Sequence, residues 1–248
     1  MTHSKPNLGQ VPRVGSPLGK ECRSLFAAPE GKMLVGIDAS GLELRMLAHY
    51  MRDQAYVTAV VSGSSKDGTD VHTMNQKAAG LPSRDAAKTF IYAYLYGAGA
   101  AKIGTIVGAG YKEGQQMMDK FMAATPALRT LKSKVDTLAS RGYLPGLDGR
   151  RLWVRSAHKA LNTLLQGAGA IVMKKALVIL YNDLRAAGID PAFVLNIHDE
   201  WQIEALPEQA ETVGKMGAEA IRKAGEHFNM RCPLAGEYKE GNTWADTH

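Results

Sequence analysis

Four side chains that recur at every fourth residue could together bind a nucleotide: Arg84, Lys88, Tyr92 and Tyr96. The segment that carries them begins after a serine that is a favourable N-cap, ends at a glycine, and has neither glycine nor proline inside, which predicts a helix. On a helix they form one stripe, with the two cations near the positive N-terminus and the two phenols beyond them. This order favours a polyphosphate at the basic end and a base or sugar on the aromatic rings. Solvated cations beside core aromatics are the alternative for an isolated helix.

Acidic residues follow predicted strands at two places in the chain. Asp38 ends a short apolar run, and a helix is predicted to begin a few residues later. His198, Asp199 and Glu200 form the tight bend between two β-prone runs. A helix N-cap explains Asp38 taken alone, and acids at a hairpin tip are usually exposed turn residues. Apolar strands on both sides of the bend would instead hold the acids rigidly at the edge of a buried sheet.

The remaining pattern predicts the elements that position these groups. A lead-in rich in proline and glycine, up to about residue 30, is expected to be extended. Asp148-Gly149 between apolar runs predicts a hairpin at 144–154. Asn162 and Gln166 lie four residues apart on a long predicted helix. Two interpretations are open: a functional pair, or two buried amides that form hydrogen bonds with polar groups of the core. Helices are predicted at about 71–80, 84–97, 100–107, 111–123, 126–140, 157–187 and 207–228.

Length and composition restrict the class of protein. A chain of 248 residues with 45% apolar content can form one large domain or a domain with a lobe. No apolar run approaches a membrane span and the N-terminus lacks a secretory signal, so a soluble protein of a reducing cytoplasm is expected. Cys22 and Cys232 are too few for a disulfide framework or a zinc site, although a single bridge stays open. The net charge of +6 favours a polyanionic partner without requiring one.

Three motifs, taken in order, resemble the polymerase domain of family A DNA polymerases, the family of bacterial DNA polymerase I and of the replicative polymerases of T-odd phages. Residues 38–45, Asp-Ala-Ser-Gly-Leu-Glu-Leu-Arg, resemble motif A. The stripe helix, with Arg-x3-Lys-x3-Tyr-x3-Tyr-Gly, resembles motif B, and His198-Asp199-Glu200 resembles motif C. The similarity also covers His3 to Pro12, Asp148 to Gln166 and the Trp and His near the end of the sequence.

The resemblance implies an α+β fold with two subdomains. A palm, built from an antiparallel sheet with helices, would comprise residues 1–61 with motif A and residues 143–248 with motif C. A mostly helical fingers subdomain would comprise residues 62–142 with motif B. The thumb and exonuclease domains of the family are expected to be absent.

The resemblance also implies template-directed addition of a dNMP to a primer 3′-hydroxyl by two-metal nucleotidyl transfer. Asp38, Asp199 and the backbone carbonyl of Ala39 would be ligands of two Mg2+ ions, for which Mn2+ can substitute. Glu200 and Lys88 would join Asp38 and Asp199 as catalytic residues, with Lys88 protonating the leaving group.

Further roles follow from the resemblance position by position. Glu43 would be a steric gate against the ribose 2′-hydroxyl, and Tyr92 would lie beside the sugar, which implies tolerance of dideoxynucleotides. Tyr96 would lie near the templating base. The implied nucleotide-binding residues are Arg84, Lys88, Tyr92, Glu43, Tyr96 and His72. The implied primer-template residues, which would contact the minor groove at the primer terminus, are Asn162, Gln166, His198 and Arg45.

The implied partners are primer-template DNA and dNTPs, with no membrane, in the cytoplasm of a bacterial host if the gene is a phage gene. The family has an arginine just before the stretch that matches residues 1–3, and this sequence has no counterpart. Two alternatives are open: either a second chain supplies the thumb and exonuclease, or the sequence is a fragment whose binding to DNA is weak and sensitive to salt.

Three other functions compete with this interpretation. The first is a catalytically idle palm and fingers fragment that binds primer-template or a partner polymerase chain, because motif residues alone do not establish turnover. The second is a metal-dependent phosphohydrolase with His198 and Asp199 as ligands, although the upstream histidines lack ligand spacing. The third is a single-subunit RNA polymerase, which Glu43 at the gate position disfavours.

Overall fold

The computed structural model of the chain describes residues 7–190 and 192–248, and these residues form two compact units. One unit contains residues 7–42 and 169–248, and the other contains Glu43–Ala168. The boundaries of palm and fingers expected at 61/62 and 142/143 stay a prediction. His3, part of the expected resemblance, lies outside the described residues.

Helices and strands have the following bounds in chain order. The strands are β1 (Met33–Ala39), β2 (Tyr143–Pro145), β3 (Arg151–Trp153), β4 (Ala192–Ile197), β5 (Glu200–Ala205) and β6 (Gly236–Gly241). The helices are α1 (Gly19–Ser24), α2 (Leu42–Met51), α3 (Gln54–Val61), α4 (Val71–Ala79), α5 (Arg84–Leu95), α6 (Ala100–Ile106), α7 (Tyr111–Ala124), α8 (Pro126–Ala139), α9 (Ala160–Ala186) and α10 (Pro207–His227). Two short 3-10 turns occupy Leu8–Gln10 and Ala157–Lys159.

The first unit is built on a four-stranded antiparallel sheet in the order β4-β5-β1-β6, and one face of it packs against α10. Side chains alternate along a strand, so Val35, Ile37 and Ala39 share this face, and all three are buried. Helix α10 lies so close that a Cβ at Gly217 would come within 2.2 Å of Ile37 Cδ1. Packing of this buried apolar face against α10 holds β1 as an interior strand of the sheet.

The opposite face carries Asp38 and is partly covered by residues 242–248, called the tail below. A Cβ at Gly36 would lie 2.7 Å from the backbone oxygen of Thr247, so a glycine is needed for the tail to pack this closely. Trp244 of the tail is 1% exposed and lies in an apolar cluster with Leu34 and Ile197. The tail is therefore part of the folded unit.

The second unit is mostly helical and has the caps that its sequence predicts. The Ser83 hydroxyl accepts the first hydrogen bond of α5, and Gly80 ends α4 with a left-handed φ of 68°. Phe90, Tyr94 and Phe121 pack ring against ring, with centroid distances of 5.1, 5.5 and 6.0 Å. These aromatic contacts join α5 to α7 in the core of this unit.

The segment Ala157–Ala186, which includes α9, is long and apolar enough to cross a membrane by length and composition. Half of its apolar window is buried inside the fold, and core helices of globular proteins meet the same criteria of length and composition. The expectation that no apolar run approaches a membrane span is thus wrong on length and composition. Only a few charges interrupt a run of Leu, Ile, Val, Met and Ala in this segment.

The α+β class predicted from the sequence is confirmed, and two elements depart from the prediction. Helix α1 lies within the lead-in that was expected to be extended, and strand β6 is the second departure. Helix α5 starts at Arg84 as expected, and α7, α8 and the β2–β3 hairpin occupy their expected places. Strand β6 was not predicted, because Gly236–Gly241 is polar and bounded by glycines, which disfavour strands. Its pairing with β1 brings Glu237 opposite Asp38.

Substitution of Gly36 by alanine tests the packing of the tail. Gly36→Ala is expected to lower the free energy of unfolding by about 1–3 kcal/mol, because the new methyl would overlap the Thr247 backbone. Gly15→Ala is the control, since its Cβ would meet nothing within 4 Å, and a change below about 0.5 kcal/mol is expected. Urea unfolding measures both, and equal stability of the two variants would contradict the close approach.

Candidate active site

The pairing of β1 with β5 brings Asp38 and Asp199 together. The backbone N–H of Ala39 donates a 3.1 Å hydrogen bond to the backbone oxygen of Asp199. In the same register Asp38 lies opposite Glu200 on one side and opposite Glu237 on the other. Directly opposed residues point to the same face of a sheet, so these carboxylates share one face. The predicted acids thus form one cluster, to which the structure adds Glu237.

This acidic cluster holds more negative charge than its surroundings neutralise. Partial burial, together with the charges of Asp199, Glu200 and Glu237, raises the pKa of Asp38 to about 7. Burial also raises the pKa of Asp199. The Asp38 side chain is nevertheless exposed at the surface, so a solute can reach it. A cation bound here would relieve the repulsion and favour the ionised form of both acids.

Asp199 lies in a turn that fixes its backbone. Strand β4 ends at Ile197 and β5 begins at Glu200, so only two residues connect the strands. The first, His198, has a φ of 53°, a left-handed conformation that is uncommon for residues other than glycine. A Cβ at Gly9 would lie 3.5 Å from His198 Nε2, so the lead-in passes close to this exposed ring. Backbone conformations of this kind are concentrated at functional sites.

Glu200 is buried, and both of its oxygens have partners. Trp244 Nε1 donates to Oε1 at 2.7 Å, and Gln202 Nε2 donates to the same oxygen at 2.5 Å. His248 Nδ1 lies 3.0 Å from Oε2. The Thr247 hydroxyl donates to Gln202 Oε1 at 2.9 Å, which orients the amide. Side chains of the tail therefore hold Glu200 in one position next to Asp199.

Arg23 of α1 extends this network. Its guanidinium lies over the Trp244 ring, 4.2 Å from the centroid, and its Nε donates to the Pro12 carbonyl at 2.9 Å. Burial lowers the pKa of Arg23, while the charge of Glu200 raises it. The cation thus packs the lead-in onto the tail and offsets part of the acidic charge.

The oxygen donors of the acidic cluster suit a hard divalent cation. The carboxylates of Asp38 and Asp199 and the carbonyl of Ala39 are the donor types that Mg2+ prefers. Within residues 7–190 and 192–248, no three His, Cys, Asp or Glu side chains converge closely enough to hold an ion by themselves. A cation at this cluster would take its other ligands from water or phosphate oxygens, as Mg2+ commonly does.

In the second unit, Arg84 at the start of α5 is paired with Asp70, the N-cap of α4. Arg84 Nε and one terminal nitrogen each lie 3.0 Å from Asp70 Oδ1. Although burial opposes it, hydrogen bonds from Arg84 and Thr73 hold the pKa of Asp70 at about 2. The guanidinium is thereby oriented at the basic end of the stripe, and Lys88 one turn later is exposed.

His72 and Tyr92 lie beside these cations. Their ring centroids are 6.3 Å apart. Burial and the charges of Arg84 and Lys88 lower the pKa of His72, which favours a neutral imidazole. Its Nδ1 is buried and has no hydrogen-bond partner among the described residues. Four of the predicted nucleotide-binding residues are therefore neighbours in one unit.

Glu43 and Tyr96, two further predicted nucleotide-binding residues, are hydrogen-bonded to each other. The Tyr96 hydroxyl donates to Glu43 Oε1 at 2.5 Å. Glu43 lies in the first turn of α2, and Tyr96 is the half-exposed C-cap of α5. Because the phenol orients the carboxylate, these two side chains act as a pair.

The predicted primer-template residues lie at different places. Asn162 is half-buried and Gln166 is exposed, both in the first two turns of α9. Arg45 is buried in α2, and His198 lies in the turn beside Asp199. A Cβ at Gly97 would lie 2.9 Å from a backbone oxygen just before α9, so the end of α5 packs close to the start of that helix.

Sequence reasoning missed several groups that complete these clusters: Arg23, Asp70, Gln202, Glu237, Thr247 and the pairing of His248 with Glu200. A signal existed only for Asp70, since an aspartate just before a helix is typical of an N-cap. The others act through tertiary contacts that no local pattern encodes.

Comparison with known proteins defines the class of this chain. The family model described as DNA polymerase family A matches residues 1–246. The chain belongs to DNA polymerase family A, which confirms the resemblance that its motifs indicated.

Particular relatives come from phages and bacteria. The chain is 44% identical to a DNA-directed DNA polymerase of Enterobacteria phage T3 and 43% identical to that of Escherichia phage T7, and each match covers all of this chain and 39% of the relative. It is 32% identical to the thermostable DNA polymerase I of Thermus aquaticus, over 98% of this chain and 30% of that protein. The chain thus spans well under half the length of these relatives.

A solved structure shares the fold. The polymerase domain of Pol1 from M. smegmatis, in complex with DNA primer-template and dNTP, matches with a TM-score of 0.85 and 24% identity. The match covers 97% of this chain and 45% of that one.

The pairing of Arg84 with Asp70 predicts a pH-dependent stability. Asp70→Asn is expected to lower the free energy of unfolding by about 1–3 kcal/mol near neutral pH. The pKa of Asp70 is about 2 in the folded chain, below the value of about 3.9 for an unfolded chain. The stabilisation is therefore fully present above about pH 5 and is lost as the pH falls toward 2.

Urea unfolding of wild type and variant across this pH range measures the difference. Asp148→Asn is a matched control, because Asp148 also pairs with an arginine but in an exposed turn, where a change below about 1 kcal/mol is expected. A difference between wild type and Asp70→Asn that stays constant down to the lowest pH would contradict this account.

Proposed function

We propose that this chain is the palm and fingers portion of a template-directed DNA polymerase, which adds a dNMP to a primer 3′-hydroxyl by two-metal nucleotidyl transfer. The observation that carries the proposal is the backbone hydrogen bond from Ala39 to Asp199, since it places the turn that contains Asp199 beside the end of the strand that carries Asp38. Family membership and the name of the phage relatives, DNA-directed DNA polymerase, support the reaction. The phage relatives also support a role in phage DNA replication.

The acidic cluster would hold the metal. Asp38, Asp199 and the carbonyl of Ala39 would coordinate Mg2+, or Mn2+ in its place. Two such ions, when bound, lower the pKa of the primer 3′-hydroxyl and stabilise the charge of the leaving pyrophosphate. Glu200, for which the resemblance implied a catalytic role, would act as a positioning residue, because Trp244 and Gln202 donate to its Oε1 and His248 lies beside its Oε2.

The stripe on α5 would bind the incoming nucleotide. Arg84 uses two of its nitrogens for Asp70, and its remaining N–H groups would donate to phosphate oxygens. Lys88 would neutralise the same phosphates and give a proton to the pyrophosphate oxygen that leaves. Tyr92 would pack beside the sugar, with His72 next to it, and Tyr96 would lie near the templating base.

Primer-template DNA is the proposed second substrate. Asn162, Gln166, His198 and Arg45 would contact the primer terminus, where minor-groove acceptors are shared by all correct base pairs. The M. smegmatis neighbour, a complex with DNA primer-template and dNTP, supports both DNA and dNTP as partners. A second polypeptide that supplies a thumb and an exonuclease is proposed as a further partner.

Asp199→Ala tests the proposed metal site. Primer extension with labelled dNTPs and Mg2+ is expected to fall about a thousandfold or more, because a metal ligand supplies several kcal/mol of transition-state stabilisation. DNA binding, measured by fluorescence anisotropy, should stay nearly unchanged. Asp67→Ala, which removes an exposed loop carboxylate, is the control and should extend primers normally.

Extension by Asp199→Ala at the wild-type rate would refute the metal site. If the wild-type chain binds DNA but extends no primer, alone or with a polypeptide that supplies the thumb, the second candidate function is favoured. That candidate is an idle palm and fingers fragment.

Glu43→Ala tests the proposed steric gate. In this variant the ratio of rNTP use to dNTP use is expected to rise about tenfold or more above that of wild type. The reason is that loss of the Glu43 side chain opens space for the 2′-hydroxyl. Tyr96→Phe removes only the hydroxyl that holds the Glu43 carboxylate, so it should relax discrimination in the same direction but less. The ratio of kcat/KM values for rNTP and dNTP measures both, and an unchanged ratio in Glu43→Ala would contradict the gate.

A further inference from the structure

The β2–β3 hairpin presents a basic and aromatic surface that the proposed site does not use. We call this surface the hairpin platform and define it by Tyr143, Arg151, Trp153, Arg155 and Lys159. Trp153 is 66% exposed, although tryptophan is among the side chains that gain most from burial. Both arginines and the lysine are exposed as well. A large exposed aromatic residue surrounded by cations needs an explanation outside the core.

The geometry of the hairpin separates a core face from the platform. Leu144 is fully buried and pairs with Leu152, which packs against Gly167 at the start of α9. Side chains alternate along β3, so its neighbours Arg151 and Trp153 point to the other side. The hairpin is therefore anchored through its leucines, and the platform side chains are not needed for that anchoring.

The platform side chains are ordered by each other. Tyr143 and Trp153 are directly paired across the hairpin, with ring centroids 5.9 Å apart in an edge-to-face arrangement. The Arg151 guanidinium lies 4.8 Å from the centroid of the Tyr143 ring. Such contacts hold an indole face and a guanidinium in place before any ligand binds, which lowers the entropic cost of binding.

The charge of this region is concentrated and mostly uncompensated. Between residues 141 and 159 there are five arginines and lysines against a single acid, in a chain whose net charge is +6. That acid, Asp148, is paired with Arg150 at 2.6 Å. Within the described residues, no carboxylate lies within 4 Å of the cationic groups of Arg151, Arg155 or Lys159. The positive electrostatic potential of this region favours a polyanion as the ligand.

We propose that the hairpin platform binds single-stranded nucleic acid, with a base stacked on Trp153 and phosphates on Arg151, Arg155 and Lys159. A stacked duplex does not offer the face of an internal base to an indole, whereas an unpaired strand does. The inference rests on the proposed function, in which the ligand is the unpaired part of the template. It adds a second DNA contact that none of the motif residues provides.

Binding of a labelled oligodeoxythymidine of about 20 nucleotides, measured by fluorescence anisotropy, tests this inference. Trp153→Ala is expected to raise the Kd for this strand about tenfold, because one stacked base is lost. The Kd for a blunt duplex of equal length should change less than about twofold, and Trp153→Phe should restore most of the affinity. Tyr111→Ala is the control, since Tyr111 is an aromatic residue with the same 66% exposure.

The salt dependence tests the cations separately. Replacing Arg151 and Arg155 by alanine should reduce the slope of log K against log salt by about 1.4 for the single strand, or about 0.7 per phosphate contact. Replacing Lys215 and Arg222, two exposed cations of α10, should leave that slope unchanged. Circular dichroism establishes that each variant is folded.

The outcomes separate this inference from the proposed function. Wild-type affinity of Trp153→Ala for the single strand, an equal loss for duplex, or no measurable binding by the wild type would each overturn the platform. A chain that binds the strand through Trp153 but extends no primer, alone or with a polypeptide that supplies the thumb, would refute the proposed function and leave the platform intact. An active polymerase whose strand binding does not depend on Trp153 would refute the platform alone.

Discussion

The antiparallel pairing of β1 with β5 is the constraint on which the acidic cluster depends. It sets like charges opposite each other, since Asp38 faces Glu200, and such a pair is unfavourable by roughly 0.2–1 kcal/mol. On the reverse face the same register buries Ile37, Trp201 and Ile203, each worth about 1.5–3 kcal/mol. Burial of the apolar face therefore stabilises the pairing by more than the repulsion between the acids destabilises it. The repulsion remains in the folded sheet, and a bound cation would reduce it.

The acids of this cluster have different surroundings and therefore differ in how readily they can bind a cation. Glu200 is buried and receives hydrogen bonds from Trp244 and Gln202, so its charge is already solvated by the protein. The Asp38 side chain is accessible at the surface, and partial burial together with the charges of the neighbouring acids raises its pKa. The acidic cluster thus contains one carboxylate whose oxygens are already hydrogen-bonded within the protein, next to acids whose surroundings favour a bound cation. The tail produces this difference.

Local sequence signals predicted the elements whose stabilising contacts join residues near each other in the sequence. The serine cap and glycine stop of α5 and the Asp148-Gly149 turn are encoded within a few residues, and the structure contains them. Strand β6 and the engagement of Glu200 by the tail were not predictable, because they arise from pairings between distant segments. The stripe on α5 was predicted as four side chains, but the ion pair of Arg84 with Asp70 depends on how α4 packs against α5. The sequence therefore predicted which side chains form each cluster. It did not predict the residues to which those side chains are hydrogen-bonded or ion-paired.

The two-residue connection between β4 and β5 has an evolutionary consequence. Because turn type and loop length fix the register of a hairpin, one inserted residue between His198 and Glu200 would have one of two effects. It would either shift β5 by one residue against β4, which exchanges the faces of β5, or enlarge the turn and displace Asp199 from Ala39. A change in the length of this connection is therefore costly, while the polar stretch at 62–70 can lengthen without changing the register of a strand. Alignments of this family should show more gaps at the polar stretch than at the connection between β4 and β5.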